Sequence, residues 1–199
     1  QKCNELLKDR AGSISVMDIF TGEIIAMNSS PTFDPNLFLY GVDEKLWENI
    51  KNDPLKPLLN KTVSGLYSPG STIKPLVALS ALDNDVIKPN MMVNCEGMVE
   101  MYGQKYHCWK KKGHRLMSLK DAIKQSCDVY FYELARLLGV DRLNLTAQKF
   151  GLGKKVLGNV FSNEKKGIIP STKWKKENLG QNWYLGETFI TGIGQGYIQ

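Results

Sequence analysis

The chain contains no run of 18 apolar residues, so no segment is predicted to cross a bilayer as a helix. It shows no signal-peptide pattern, no internal repeat and no low-complexity tract. Its four cysteines lack the tight Cys-x2-Cys spacing of common zinc modules. No recognised nucleic-acid-binding module accompanies its basic residues, and nucleic acid is not expected as a partner. What is there suits a globular piece of protein. With 42% hydrophobic residues, 199 residues can bury a core, and the length predicts one domain. The net charge of +6 gathers at Lys110-Lys111-Lys112, Lys165-Lys166 and Lys173 with Lys175-Lys176, which read first as solvated surface and second as attraction to an anionic partner.

The richest segment is Tyr67-Ser68-Pro69-Gly70-Ser71-Thr72-Ile73-Lys74-Pro75, followed by the apolar stretch Leu76 to Leu82. Pro69-Gly70 breaks what precedes, and a buried helix is predicted from Ser71 to residue 83. Residues three apart share a helix face, which brings the Lys74 amine toward the Ser71 hydroxyl. Free backbone N–H groups and the positive end of the helix dipole lie where an oxyanion would form. A serine nucleophile with its own lysine base is the chemistry this spacing suits.

Ser-x-x-Lys is a cheap pattern, and a second copy exists at Ser162-Asn163-Glu164-Lys165. No apolar run follows it, so it reads as a solvated loop, not a nucleophile in a rigid, partly dry setting. A further polar cluster, Ser126-Cys127-Asp128, separates two predicted helices, 118–125 with a Ser118-x-x-Asp121 start and 129–138 ending at Gly139. Loops between rigid helices present catalytic groups, although Ser126 as a simple helix cap is the plainer alternative.

Taken together, the chain resembles the class B penicillin-binding proteins of the rod-shape elongation type, which are D,D-transpeptidases of cell-wall synthesis. The resemblance rests on Asp34-Pro35-Asn36, Pro69-Gly70-Ser71-Thr72-x-Lys74-Pro75, Gly113-His114, Ser126-x-Asp128-x-Tyr130-Phe131-Tyr132, Gly139-x-Asp141-Arg142, Trp183-x-x-Gly186-Glu187-Thr188 and Gly192-Ile193-Gly194-Gln195-Gly196-Tyr197, in family order over nearly the whole length. It implies an α+β fold, an antiparallel sheet flanked by helices with an all-helical catalytic subdomain. It also implies a serine acyl-enzyme: Ser71 attacks the D-Ala–D-Ala amide of a peptidoglycan stem peptide, Lys74 takes its proton, Ser126 relays a proton to the leaving amine, and Asp128 orients Lys74 and the substrate. β-Lactam antibiotics would acylate the same serine. Implied partners are a rod-shape scaffold protein and a polytopic glycosyltransferase, met through regions outside this chain, at the periplasmic face of the bacterial inner membrane.

Of the family's three motifs, Ser-x-x-Lys, Ser-x-Asn and Lys-Thr/Ser-Gly, the chain carries two. Asp128 stands where most of the superfamily has Asn, a change known in the elongation-type enzymes. No Lys-Thr-Gly or Lys-Ser-Gly occurs. The expectation is therefore that residues 1–199 form an incomplete transpeptidase domain, with an anchor and pedestal before Gln1 and the last catalytic strand after Gln199. A class A β-lactamase is disfavoured because Glu-x-x-Leu-Asn is absent. A β-lactam sensor or binding module, or a D,D-carboxypeptidase or other β-lactamase, remains the alternative.

Elsewhere, residues 13–19 and 23–27 read as a hairpin about Thr21-Gly22, with a short helical piece near Glu44 to Lys51. A further helix is predicted at 141–150, then a basic loop over 154–180. Gly192-x-Gly194-x-Gly196 lacks the spacing and context of a dinucleotide fingerprint and reads as a structural turn.

The remaining cysteines have two main readings. A Cys95–Cys108 disulfide leaves Cys127 unpaired, whereas a structural zinc site of Cys95, Cys108, His114 and Cys127 leaves no partner over; free buried thiols are a third. Some elongation-type enzymes have a metal site in the corresponding segment, and His114, which follows a glycine as in that family, is taken as the ligand in place of His107. Trp109, Trp183, Tyr184 and Tyr197 read as core or loop anchors, with Trp183 and Tyr184 alternatively lining a substrate groove.

Overall fold

The computed structural model describes residues 1–8 and 10–199, which fall into two compact units, Gln1–Leu66 with Leu157–Lys165, and Tyr67–Val156 with Lys166–Gln199. In the first unit, helix α1 (Lys2–Leu6) precedes strands β1 (Gly12–Met17) and β2 (Ile24–Ser30), which pair antiparallel from Gly12 opposite Ser30. The predicted turn forms because the Asp18 carboxylate accepts the N–H groups of Phe20 and Thr21, both at 2.8 Å. Asp34 caps a 3-10 turn at Pro35–Phe38, and Asp43 caps helix α2 (Glu44–Asn52). The second Ser-x-x-Lys lies in this unit. Ser162 and Lys165 are exposed in a turn, anchored by the Ser64 hydroxyl on the Asn163 carbonyl (2.8 Å) and by the buried Glu164, whose carboxylate accepts the Leu157 N–H.

The second unit is built on α3 (Lys74–Asp83), α5 (Asp128–Leu138), α6 (Val140–Lys149) and α8 (Leu185–Gly192). Positions 74, 77, 78 and 81 of α3 form one stripe at helical spacing, and all four are buried against a core that includes Tyr130, Phe131 and Leu134 of α5. Helix α4 (Leu119–Lys124) starts as predicted, with the Ser118 hydroxyl accepting the Asp121 N–H. Between α3 and α4 lie four short strands that periodicity did not indicate: β3 (Met92–Cys95) pairs with β6 (Arg115–Ser118), and β4 (Met98–Met101) with β5 (Gln104–His107). Gly113, at φ +74°, is required where they meet, because a Cβ there would lie 2.1 Å from the Cys95 carbonyl oxygen. The fold is thus α+β, with antiparallel two-stranded sheets and a predominantly helical second unit.

Two expectations need correction. The basic loop over 154–180 contains helix α7 (Thr172–Leu179), capped by Ser171. Lys175, read as solvated, is 1% exposed. Its ammonium is bonded to the Glu187 carboxylate and lies 5.0–5.9 Å from the rings of Tyr184, Tyr197 and Trp183. These aromatics anchor a buried cation, which their sequence positions did not reveal. Among the described residues, no helix is long and apolar enough to cross a membrane.

Candidate active site

Ser71 sits in a 3-10 turn, Gly70–Ile73, that leads directly into α3. The turn is clamped by the glycine-rich end of the chain: the Gly70 N–H donates to the Gly194 carbonyl at 2.8 Å. A Cβ on Gly194, which has φ +77°, would lie 2.0 Å from the Gly70 carbonyl oxygen, so only glycine permits this approach. The Gly192-to-Gly196 segment thus supports the Ser71 turn from behind, as a structural turn should.

Lys74, the first residue of α3, heads the buried stripe, so the helix periodicity that makes Ser71 its neighbour also drives its long side chain inward. Its ammonium lies 5.4 Å from the centre of the Phe131 ring. It donates to the Asp128 carboxylate Oδ1 at 2.7 Å, and to the Ser126 Oγ and carbonyl oxygen at 2.9 Å each. Three donors meet three acceptors, which is the full complement of an ammonium. The expected approach of Lys74 to Ser71 is therefore indirect. It runs through Ser126, whose hydroxyl donates to Ser71 Oγ at 2.9 Å.

Ser126 reaches both partners because it has φ +51°, between α4 and the Cys127 N-cap of α5. A non-glycine residue in that region costs about 1–2 kcal/mol and persists only where its surroundings hold it. Asp128 opens α5, where the helix dipole favours a carboxylate. All four predicted residues, Ser71, Lys74, Ser126 and Asp128, are thus joined by one continuous set of hydrogen bonds.

Behind this loop, the sulfur atoms of Cys95, Cys108 and Cys127 and a ring nitrogen of His114 lie within 4.8 Å of one another, and all four residues are buried. Among the described residues the cysteines are free thiols, so no Cys95–Cys108 bridge is formed. The sheets explain the convergence. Pairing of β3 with β6 sets Cys95 opposite Arg115 beside His114, and the β4–β5 pair delivers Cys108, whose N–H donates to Gly97 at 2.8 Å. His107 stays outside the cluster, where its carbonyl accepts the Tyr132 hydroxyl at 3.0 Å. His114 Nδ1 faces the thiols of Cys95 at 3.6 Å and Cys108 at 3.5 Å. A tetrahedral zinc ion with ordinary Zn–S and Zn–N bonds separates sulfur from nitrogen by about 3.6 Å, so the set fits that ion. Burial holds His114 below the usual imidazole range, with the nearby Lys110 charge adding to the effect, a direction that favours the neutral imidazole a metal needs. The same desolvation pushes the Cys127 thiol up to about 12. A bound cation reverses that preference, because a coordinating thiol is deprotonated by the metal.

The geometry is that of a serine hydroxyl linked through a second serine to a buried amine, at a helix start. The model of the penicillin binding protein transpeptidase domain matches residues 12–198. The chain belongs to this family. It is 38% identical over 199 residues to the peptidoglycan D,D-transpeptidase MrdA of Escherichia coli, covering 99% of this chain and 31% of that protein. The crystal structure of Pseudomonas aeruginosa PBP2 matches with a TM-score of 0.91 and 42% identity, covering 98% of this chain and 45% of the other. PBP2 of Helicobacter pylori, in its complex with MreC, matches with a TM-score of 0.91 and 36% identity over 98% of this chain and 37% of the other. The chain spans under a third of the length of the curated relatives it matches.

Proposed function

We propose that this chain is the acylating part of a peptidoglycan D,D-transpeptidase of the elongation type. The observation that carries this reading is the unbroken hydrogen-bonded path Lys74–Ser126–Ser71, with Ser71 in the 3-10 turn that leads into a buried helix. Hydroxyl groups rotate, so the path carries a proton in either direction. With a neutral amine, Ser71 passes its proton through Ser126 to Lys74 as its Oγ bonds to the D-Ala–D-Ala carbonyl carbon. The oxyanion meets the Ser71 N–H, one of the unpaired donors at the helix start; in the intact enzyme a second comes from the strand bearing Lys-Thr/Ser-Gly. The proton returns through Ser126 to the nitrogen of the departing D-alanine as the amide C–N bond breaks. An amine from a second stem then attacks the ester, its proton returns to Ser71, and the cross-link forms. Asp128 holds Lys74 in register throughout. β-Lactams, as cyclic amides, acylate Ser71 and remain.

Transfer to an amine is the test that separates this reading from its alternatives. Full-length protein given a D-Ala–D-Ala stem peptide and a free amine acceptor is expected to release D-alanine and form the cross-linked product, measured by mass spectrometry. Acylation by penicillin without turnover would mean a sensor, and hydrolysis alone a carboxypeptidase.

The same reading assigns Cys95, Cys108, His114 and Cys127 to one structural zinc ion. Bound there, zinc supplies folding energy and no chemistry to the acyl transfer. Because Cys127 lies between Ser126 and Asp128, its thiolate would fix the loop that carries both. The purified protein is expected to contain about one zinc per chain, and chelation or Cys127→Ser to lower both melting temperature and acylation rate. No metal on elemental analysis, together with the mass deficit of one disulfide, would replace this reading with the Cys95–Cys108 bridge.

A partner resembling MreC, as seen with the Helicobacter pylori protein, and a polytopic glycosyltransferase suit an enzyme of this type. So does a position at the periplasmic face of the inner membrane. Those contacts, and the anchor, are assigned to regions outside this chain.

A further inference from the structure

We propose that Trp109 is a positioning residue for acylation, holding Ser126 and Asp128 in place through its two N–H donors. The proposal rests on the reading of those two residues as parts of the acylation machinery.

The Ser126 conformation is the weak point of the site. At φ +51° the residue leaves the region preferred by L side chains, and relaxation toward it would swing Oγ away from Ser71. Two carbonyls at the end of α4, those of Gln125 and Ser126, have no helical partner by position. The Trp109 indole N–H donates to both at 3.1 Å. The Ser126 carbonyl also accepts from Lys74, so both of its lone pairs are engaged and the peptide plane after Ser126 is fixed from two sides. Beyond Cys127, the Trp109 backbone N–H donates to Asp128 Oδ2 at 2.9 Å, while Oδ1 is held by Lys74 at 2.7 Å. One residue therefore grips the loop on both sides of Cys127 and fixes the carboxylate plane.

The tryptophan is itself placed by what surrounds it. It follows Cys108 directly, and its ring stands edge-on to His114 at 5.2 Å between centroids. Yet 63% of the residue is exposed. A ring so little buried contributes little to the core, and its one polar atom points inward to the loop. Trp109 is thus an anchor of the loop and not of the core.

The test removes one hydrogen-bond donor. In the full-length protein, Trp109→Phe keeps an aromatic ring and the backbone N–H; benzothienylalanine at the same position keeps the bicyclic shape and replaces N–H by sulfur. Both are expected to slow the acylation rate constant for penicillin about tenfold, the worth of one hydrogen bond at a demanding site. Noncovalent penicillin affinity, melting temperature and metal content are expected to stay at wild-type values. Hydrogen exchange at the Trp109 indole, read by NMR on wild-type protein, is expected to be slow despite the exposed ring. Wild-type acylation rates in both variants, rates that fall only in step with lost metal or melting temperature, or solvent-like indole exchange would each overturn the proposal. Absence of wild-type labelling at Ser71 would instead overturn the functional reading on which it stands.

Discussion

Ser71→Ala is expected to abolish covalent labelling by a fluorescent penicillin, lowering it by about 10³-fold or more. The variant removes only the oxygen that would bond to the lactam carbonyl. Ser71 is exposed, so the loss of a hydroxyl there leaves no buried cavity, and the turn is held by the Gly70–Gly194 hydrogen bond and not by the side chain. Melting temperature should accordingly stay near the wild-type value. Ser162→Ala is the matched control, because that serine has the same i+3 lysine but lies in an exposed turn, and the Lys165 N–H bonds to the Val63 carbonyl. Labelling that survives Ser71→Ala, mapped by peptide mass spectrometry, would sink the assignment of the nucleophile.

The second large effect is at Lys74. Lys74→Arg keeps a positive charge beside Asp128, but a guanidinium does not deprotonate in proteins and cannot accept the serine proton. Its planar fork also cannot direct three donors at the Ser126 carbonyl, Ser126 Oγ and Asp128 Oδ1 as a tetrahedral ammonium does. Acylation is expected to slow by about 10² or more, the range of general-base catalysis. Single-turnover rates with penicillin measure this directly, and circular dichroism checks that the larger head is accommodated at a side chain only 2% exposed. A rate within about threefold of wild type in a folded variant would mean that another group is the base.

Much of this site was legible in the chain because helices carry their own period. The apolar run Leu76 to Leu82 can be read from the residues alone, and it places Ser71 at the start of a buried helix; which face is buried, at 74, 77, 78 and 81 and not at Leu79, the packing decides. The Ser118 cap and the break at Gly139 are equally local signals, each a matter of one side chain or one backbone angle. The β1–β2 hairpin was visible through its turn residues. By contrast, β3 to β6 are four residues each, too short for alternation to stand out, and β3 pairs out of chain order, with β6. Helix α7 escaped notice because its charged residues give no apolar stripe; the one residue it buries deeply is a lysine, compensated by Glu187 and three aromatic rings that come from after the helix.

What the sequence determined by itself is the helix that follows Ser71 and the caps and turns, since each depends on contacts within a few residues, and the order of family motifs along the chain, which makes Ser126 and Asp128 candidates. The tertiary structure alone decided how those residues connect. That Lys74 reaches Ser71 through Ser126 depends on a left-handed backbone angle between two helices, and that angle depends on donors arriving from Trp109 and Lys74. Likewise, Cys95, Cys108, His114 and Cys127 were candidates among several pairings until the strand register brought their ligand atoms within 4.8 Å. Spacing along a chain sets which residues can share a helix face; it carries no information about where separate segments pack, because that is fixed by the burial and hydrogen bonding of the whole unit.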